Sequence, residues 1–185
     1  MIATEVTSPF LTPLKLTFYM AIFVAMPFLM FELWRFASPG LFKSEKIYTI
    51  GLTGLSTLLF YLGTFFAFYI VFPLIFSFFI NAAPEGIAVM TDISSYLNFV
   101  IKLLVAFGLA FQLPVVLGLM AKVGIVTHTS LKKFRKYAIV IAFLAAAFLT
   151  PPDPFSQISL ALPIILLYEI SIYIAKIIQK NKSDD

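Results

Sequence analysis

Between Ile47 and Ile80 the chain runs for 34 residues without a charged side chain. As helix that stretch would reach ~51 Å, against a bilayer hydrocarbon core of ~30 Å. It must therefore tilt, kink at Pro73 or project beyond the bilayer, and we expect outward projection. Soluble domains are near half apolar and a quarter charged, whereas this chain is 61% hydrophobic and 12% charged. The expected fold class is an all-α integral membrane protein, a polytopic helical bundle. The 22 Phe residues suit packing in and around lipid, and the lack of Cys excludes disulfides and thiolate metal sites.

Four more runs are predominantly apolar. Residues 16–34 give ~29 Å of helix, about one hydrocarbon thickness, and residues 97–121 make a further span. Residues 137–149 give only ~20 Å, and residues 158–175 give ~27 Å. Proline punctuates them for a physical reason, since it lacks an N–H and frees the carbonyl four residues earlier. Pro27 frees the carbonyl of Phe23, and a kink is expected there. Ser8-Pro9 and Thr12-Pro13 are helix-start signals, a capping hydroxyl followed by a proline suited to the first helical position. They lead into the first span.

The cations give the expected topology. Segments 35–46, 122–136 and 176–185 carry three, five and three Lys or Arg, whereas 81–96 and 150–157 carry none. By the positive-inside rule the first three are cytoplasmic, and 1–15, 81–96 and 150–157 extracytoplasmic. Five spans follow, with the N-terminus outside and the C-terminus inside. The charge of +4 is explained by this topology, and no nucleic-acid partner is expected. Met1 to Lys15 lacks the basic and short apolar regions of a cleavable signal. An exported N-terminus without one suggests that a first helix is missing.

Polar groups within the spans are costly and so are candidates for function. Gln112 lies ~15 Å from Lys122, near the midplane. Its amide either satisfies the Ala110 carbonyl freed by Pro114, or faces a hydrated cavity or partner helix. Glu169, ~10 Å inside Lys176, either lines a wet groove or bonds a neighbouring helix. Glu32 can snorkel to the boundary or pair with Arg35 at i+3, and Lys102 can snorkel outward. Asp153 belongs to a Thr150-Pro-Pro-Asp capping box or caps a helix starting at Pro154. His128 reads as a solvated loop residue. No nucleophile constellation, phosphate loop or metal-ligand spacing occurs, so neither an enzyme nor a cofactor is expected. A secondary transporter or proton channel using Gln112 and Glu169 is the rival function, without the inverted-repeat halves common in such folds.

Taken in order, several motifs resemble the TatC family, the multi-spanning core of the twin-arginine protein translocase. They are Ser8-Pro-Phe10 with Thr12-Pro13, the loop from Trp34 to Glu45, Phe72-Pro73, Ala83-Pro-Glu-Gly86, Thr91-Asp-Ile-Ser-Ser-Tyr96, Phe111-Gln-Leu-Pro114, Thr150-Pro-Pro-Asp153 and Phe155-Ser-Gln157. The resemblance implies a TatC-like domain over nearly the whole chain, five spans of the family's six. It also implies a bacterial-type inner membrane, or an equivalent organellar one, and a C-terminus in the cytoplasm.

The same resemblance implies a role for particular residues. Glu45 matches the family's key acidic position for twin-arginine signal peptides, and guanidinium groups bind carboxylates bidentately. Phe36, Leu41 and Lys43 match neighbouring contact positions. Gln112 falls where relatives carry Glu or Gln, facing a concave, partly hydrated side. Asp153 and Gln157 resemble the external tip that contacts the single-span partners TatA and TatB. Folded cargo, further copies of the chain and the lipid bilayer complete the implied partners, with the proton-motive force as energy source.

Overall fold

The computed structural model describes residues 7–37, 45–81, 91–150 and 153–183, the side chains at 37, 45–48 and 181–183 excepted. The helices are α1 (Ser8–Ala37), α2 (Glu45–Phe66), α3 (Phe72–Asn81), α4 (Ile93–Ala110), α5 (Leu113–Val123), α6 (His128–Leu149) and α7 (Pro154–Ser183). A π turn, Ala67–Val71, joins α2 to α3 without interrupting the rod. Four stretches, Ser8–Phe36, Thr49–Asn81, Ile93–Val123 and Pro154–Lys180, are long and apolar enough to cross a membrane. Helix α6 is the short apolar run expected from residues 137–149, extended at its basic end.

Each irregularity has a local cause. Before Pro73 the ladder slips by one residue, and the Phe72 N–H bonds Ala67 O, an i to i−5 bond. The chain also breaks at Phe111–Gln112, and α5 restarts with Pro114 in its first turn, where a missing N–H costs nothing. Gly124 ends α5 with φ of +91°, a left-handed cap suited to glycine. The Asp92 carboxylate caps α4 by accepting from Ser95 N at 2.9 Å, which gives the Thr91–Tyr96 motif a structural role.

Helix α1 begins earlier than a span over 16–34 would: it is continuous from Ser8 through Pro13 and Pro27. The basic segment 122–136 is also more regular than a loop. It supplies the end of α5 and the first turns of α6, capped by Thr127 Oγ1, which accepts from Ser130 N at 3.1 Å. The Ser38-Pro39-Gly40 turn and the Ala83–Gly86 motif lie outside the described residues.

Helices α1 and α2 run antiparallel, α2 packs antiparallel on α4, and α7 lies against both α5 and α6. Where α2 crosses α4 the backbones approach closely because both helices carry glycine. A Cβ on Gly63 would sit 2.5 Å from Phe107 O, and one on Gly108 would collide with the Phe60 ring. Small residues are what allow such an approach in membranes. One buried cluster joins the π turn, α3, α4, α6 and α7 through Ala67, Ile75, Phe107, Ala146 and Leu160; a second joins α1, α2 and α5 through Met30, Trp34, Phe60 and Leu119. Helix α1 is the least covered span, its apolar window 11% buried against 50% for Ile93–Val123.

Candidate functional site

The basic ends of α1 and α2 carry Phe36 and Glu45, two of the residues marked out by sequence. Helix α1 reaches that end with Trp34 buried, Arg35 exposed and Phe36 91% exposed. Glu45 opens α2 immediately after the connecting segment. Leu41, Lys43 and the Glu45 side chain lie outside the described residues, so Phe36 is the member of that set whose setting is visible. Its ring stands clear of the bundle, available to a ligand and unneeded by the core. Glu32 pairs with Arg35 across one turn, Oε1 to Nη1 at 3.3 Å, with both side chains about two-thirds exposed. Such a pair contributes little to stability.

Deeper in, Ser56 ties three elements together. The Trp34 indole donates to Ser56 Oγ at 2.8 Å, and the Gln112 amide Nε2 donates to Ser56 O at 2.9 Å. Of the two alternatives for Gln112, the structure shows the partner helix and not the Ala110 carbonyl of its own chain segment. With α4 ended at Ala110, the Gln112 side chain is free to bridge to α2. Its Oε1 is buried without a hydrogen-bond partner among the described residues. Beside this knot an apolar cavity of about 490 Å³ opens between α2, α5 and α7, lined by Leu55, Phe111, Pro114, Gly118 and Ile174, with Lys122 at its rim.

Glu169 bonds a neighbouring helix. Its Oε2 accepts from Arg135 Nη2 at 2.7 Å and its Oε1 lies 2.6 Å from Nε, a two-pronged ion pair between α7 and α6. The Nε–H is not aimed at the near oxygen, so only the first contact is a hydrogen bond. The pair is partly solvated, at 36% and 43% exposure. It also lines a cavity of about 350 Å³, and of the two alternatives the bond to a neighbouring helix is the contact the structure shows. Gln112 and Glu169 are engaged on different helices and are not brought together.

His128 is not a solvated loop residue. It begins α6, where its backbone N–H donates to Gln179 Oε1 at 3.1 Å, and its Nδ1 lies equally close to that oxygen; Gln179 Nε2 donates to Val126 O at 3.1 Å. Gln179, beyond the last apolar run, offered no sequence signal. At the opposite end Asp153 caps α7, accepting from Ser156 N at 2.8 Å, as the alternative of a cap before Pro154 requires. Thr150 instead closes α6 by donating to Ala146 O at 3.0 Å. Gln157 Nε2 donates to Phe143 O at 3.1 Å, pinning the start of α7 to α6. Among the described residues no cluster of three or more His, Cys, Asp or Glu could hold a metal.

The sequence model of one family, Sec-independent protein translocase protein (TatC), matches residues 1–163. The chain belongs to the TatC family. A TatC protein of Halothiobacillus neapolitanus is 50% identical over 98% of this chain and 50% of its own length. The TatC protein of Haemophilus influenzae is 48% identical over 100% of this chain and 72% of its own. The chain thus spans half of the first relative and under three quarters of the second. A crystal structure of the twin-arginine translocase receptor TatC superposes with a TM-score of 0.88 at 38% identity, covering 97% of this chain and 79% of that one. TatC membership and the four long apolar helices make this a multi-pass membrane protein.

Proposed function

We propose that this protein is the receptor subunit of a twin-arginine translocase, which binds twin-arginine signal peptides and serves as the platform on which the machinery for folded cargo assembles. The observation that carries this reading is the superposition on a twin-arginine translocase receptor over 97% of the chain. The exposed Phe36 at the end of α1 and the acid Glu45 at the start of α2 supply the chemistry. Phe36 offers an aromatic face to the peptide, and the Glu45 carboxylate offers an acceptor pair matched to a guanidinium fork. Leu41 and Lys43, between them, complete the contact surface. The apolar cavity between α2, α5 and α7 would receive the hydrophobic part of the signal.

In this proposal the basic helix ends and the C-terminus face the cytoplasm, since short basic segments are retained there. The tip between α6 and α7, with Asp153 and Gln157, would meet the single-span partners TatA and TatB. The short apolar part of α6 would thin the bilayer there, because a hydrophobic length below the core thickness deforms the membrane. Other copies of the chain would join the assembly, and the proton-motive force would drive it. The rival transporter or channel loses support because Gln112 and Glu169 are bonded to separate helices.

The test is photo-crosslinking of a twin-arginine signal peptide to probes at Phe36 and Leu41 in native membranes. We expect crosslinks that disappear when the peptide's arginine pair is changed to lysines. Crosslinks indifferent to that change would overturn the receptor assignment.

A further inference from the structure

The cavity that contains the Arg135–Glu169 pair has no part in the signal-peptide proposal. It holds about 350 Å³ between α6 and α7, and His128, Lys132, Arg135, Glu169, Tyr173 and Lys176 line it. Three permanent cations face one acid, so the space carries an excess of two positive charges with His128 neutral. The acid does not quench the site. Glu169 engages Arg135 through Nε and Nη2, and Nη1 has no acceptor among the described residues. Among the described residues Lys132 and Lys176 form no ion pair either, and both are exposed. The cavity is thus a cationic cradle whose central guanidinium is fixed in orientation by a carboxylate behind it.

Its place along the helices says what it would hold. Helix α6 turns from charged to apolar at Tyr137, just past Arg135, and α7 turns from apolar to charged at Lys176. Both changes fall at the level of the cavity, which places it at the boundary between hydrocarbon and headgroups whichever way the protein is oriented. Tyr173, 65% exposed, borders it, as suits an amphipathic ring at that depth. Leu166, two turns inward from Tyr173 on the same face of α7, exposes apolar surface where an acyl chain would lie. A basic pocket between membrane helices at headgroup level matches a phosphodiester.

We propose that this cavity is a binding site for the headgroup phosphate of an anionic phospholipid. The phosphate accepts from Arg135 Nη1, Lys132 and Lys176, while Glu169 acts as a positioning residue that fixes the guanidinium. A bound lipid would brace α6 against α7 at the end where His128 and Gln179 already join them.

The experiment measures lipid retention by native mass spectrometry on the full chain, purified and exchanged into phosphatidylglycerol or phosphatidylcholine. Three proteins are compared: the unaltered chain, K132Q/K176Q, and K133Q/K136Q, which removes the same charge outside the cavity. A lysine at the headgroup plane is worth about fivefold in affinity. Retained phosphatidylglycerol should therefore weaken about 25-fold in K132Q/K176Q and less than about threefold in K133Q/K136Q, with both variants keeping the helical circular dichroism of the parent. Equal losses in the two variants would reduce the site to diffuse surface charge and overturn the proposal. So would equal retention of phosphatidylcholine by the unaltered chain, and so would displacement of bound lipid by inorganic phosphate, which would assign the cavity to a free anion.

Discussion

Two of the polar ties between helices differ in chemistry as they differ in burial. At Ser56 the donors are an indole and a primary amide, neutral groups at buried positions. Between α6 and α7 the tie is an ion pair, and it stands where the helices become charged and both side chains keep more than a third of their surface. Removing an ion from water is costly, and that cost is tolerable only where water or headgroups remain within reach. Neutral hydrogen bonds carry no such charge penalty and can be sited deeper. Burial, more than residue type, decides which kind of tie a membrane helix can use.

The largest expected effect comes from breaking the buried tie at its indole. Trp34 is 5% exposed and packs with Met30 and Phe60 besides bonding Ser56. Trp34→Ala should cost about 3 kcal/mol in reversible unfolding in detergent. That is the low end for such truncations, because lipid still solvates the apolar surface in the unfolded reference. A loss under about 1 kcal/mol would show that α1 is not anchored there.

A double-mutant cycle on Arg135→Gln and Glu169→Gln should give a smaller coupling, about 0.5–1 kcal/mol after allowance for its exposure. Salt sharpens the contrast. Raising ionic strength from 0.05 to 0.5 M should shrink that coupling by about half or more, whereas the Trp34–Ser56 coupling should not move. Equal salt sensitivity in the two cycles would remove the distinction.

Some of this architecture was legible in residues and some was not. The rule that proline frees the carbonyl four residues back pointed to Phe23, and that carbonyl is indeed used, accepting from the Tyr61 hydroxyl at 2.9 Å. The donor was not legible, since it lies 38 residues away and only the pairing of α1 with α2 brings it near. At Gln112 the same local logic left two partners open, and a helix break at Phe111, which released the side chain from its own turn, decided for the neighbouring helix. Arg135 was counted among topological cations. What hid its partner was treating 122–136 as a loop; once α6 starts at His128, Arg135 is level with Glu169 on the facing helix. Likewise Asp153 and Gln157, grouped at the external tip, prove to cap and pin the α6–α7 hairpin, a role that any partner contact must accommodate.

The smallest effects come from single neutral hydrogen bonds. Tyr61→Phe removes the donor to Phe23 O, and Gln112→Met removes the donor to Ser56 O at nearly constant volume. Each should cost about 0.6 kcal/mol, a typical value for interhelical hydrogen bonds in membranes. Chemical denaturation of the two variants and their combination should show additive losses, since the bonds share no atom. A loss above about 2 kcal/mol for Gln112→Met would show that the amide carries more than this one bond.

The measurement that bears most directly on the receptor assignment is the affinity of a fluorescent signal peptide for the protein in lipid nanodiscs. It compares arginine-pair and lysine-pair peptides on the parent chain and on Glu45→Gln. Bidentate, charge-assisted pairing predicts that the parent favours the arginine peptide by about tenfold or more and that Glu45→Gln abolishes most of that preference. An arginine preference of the same size in both proteins would contradict the account.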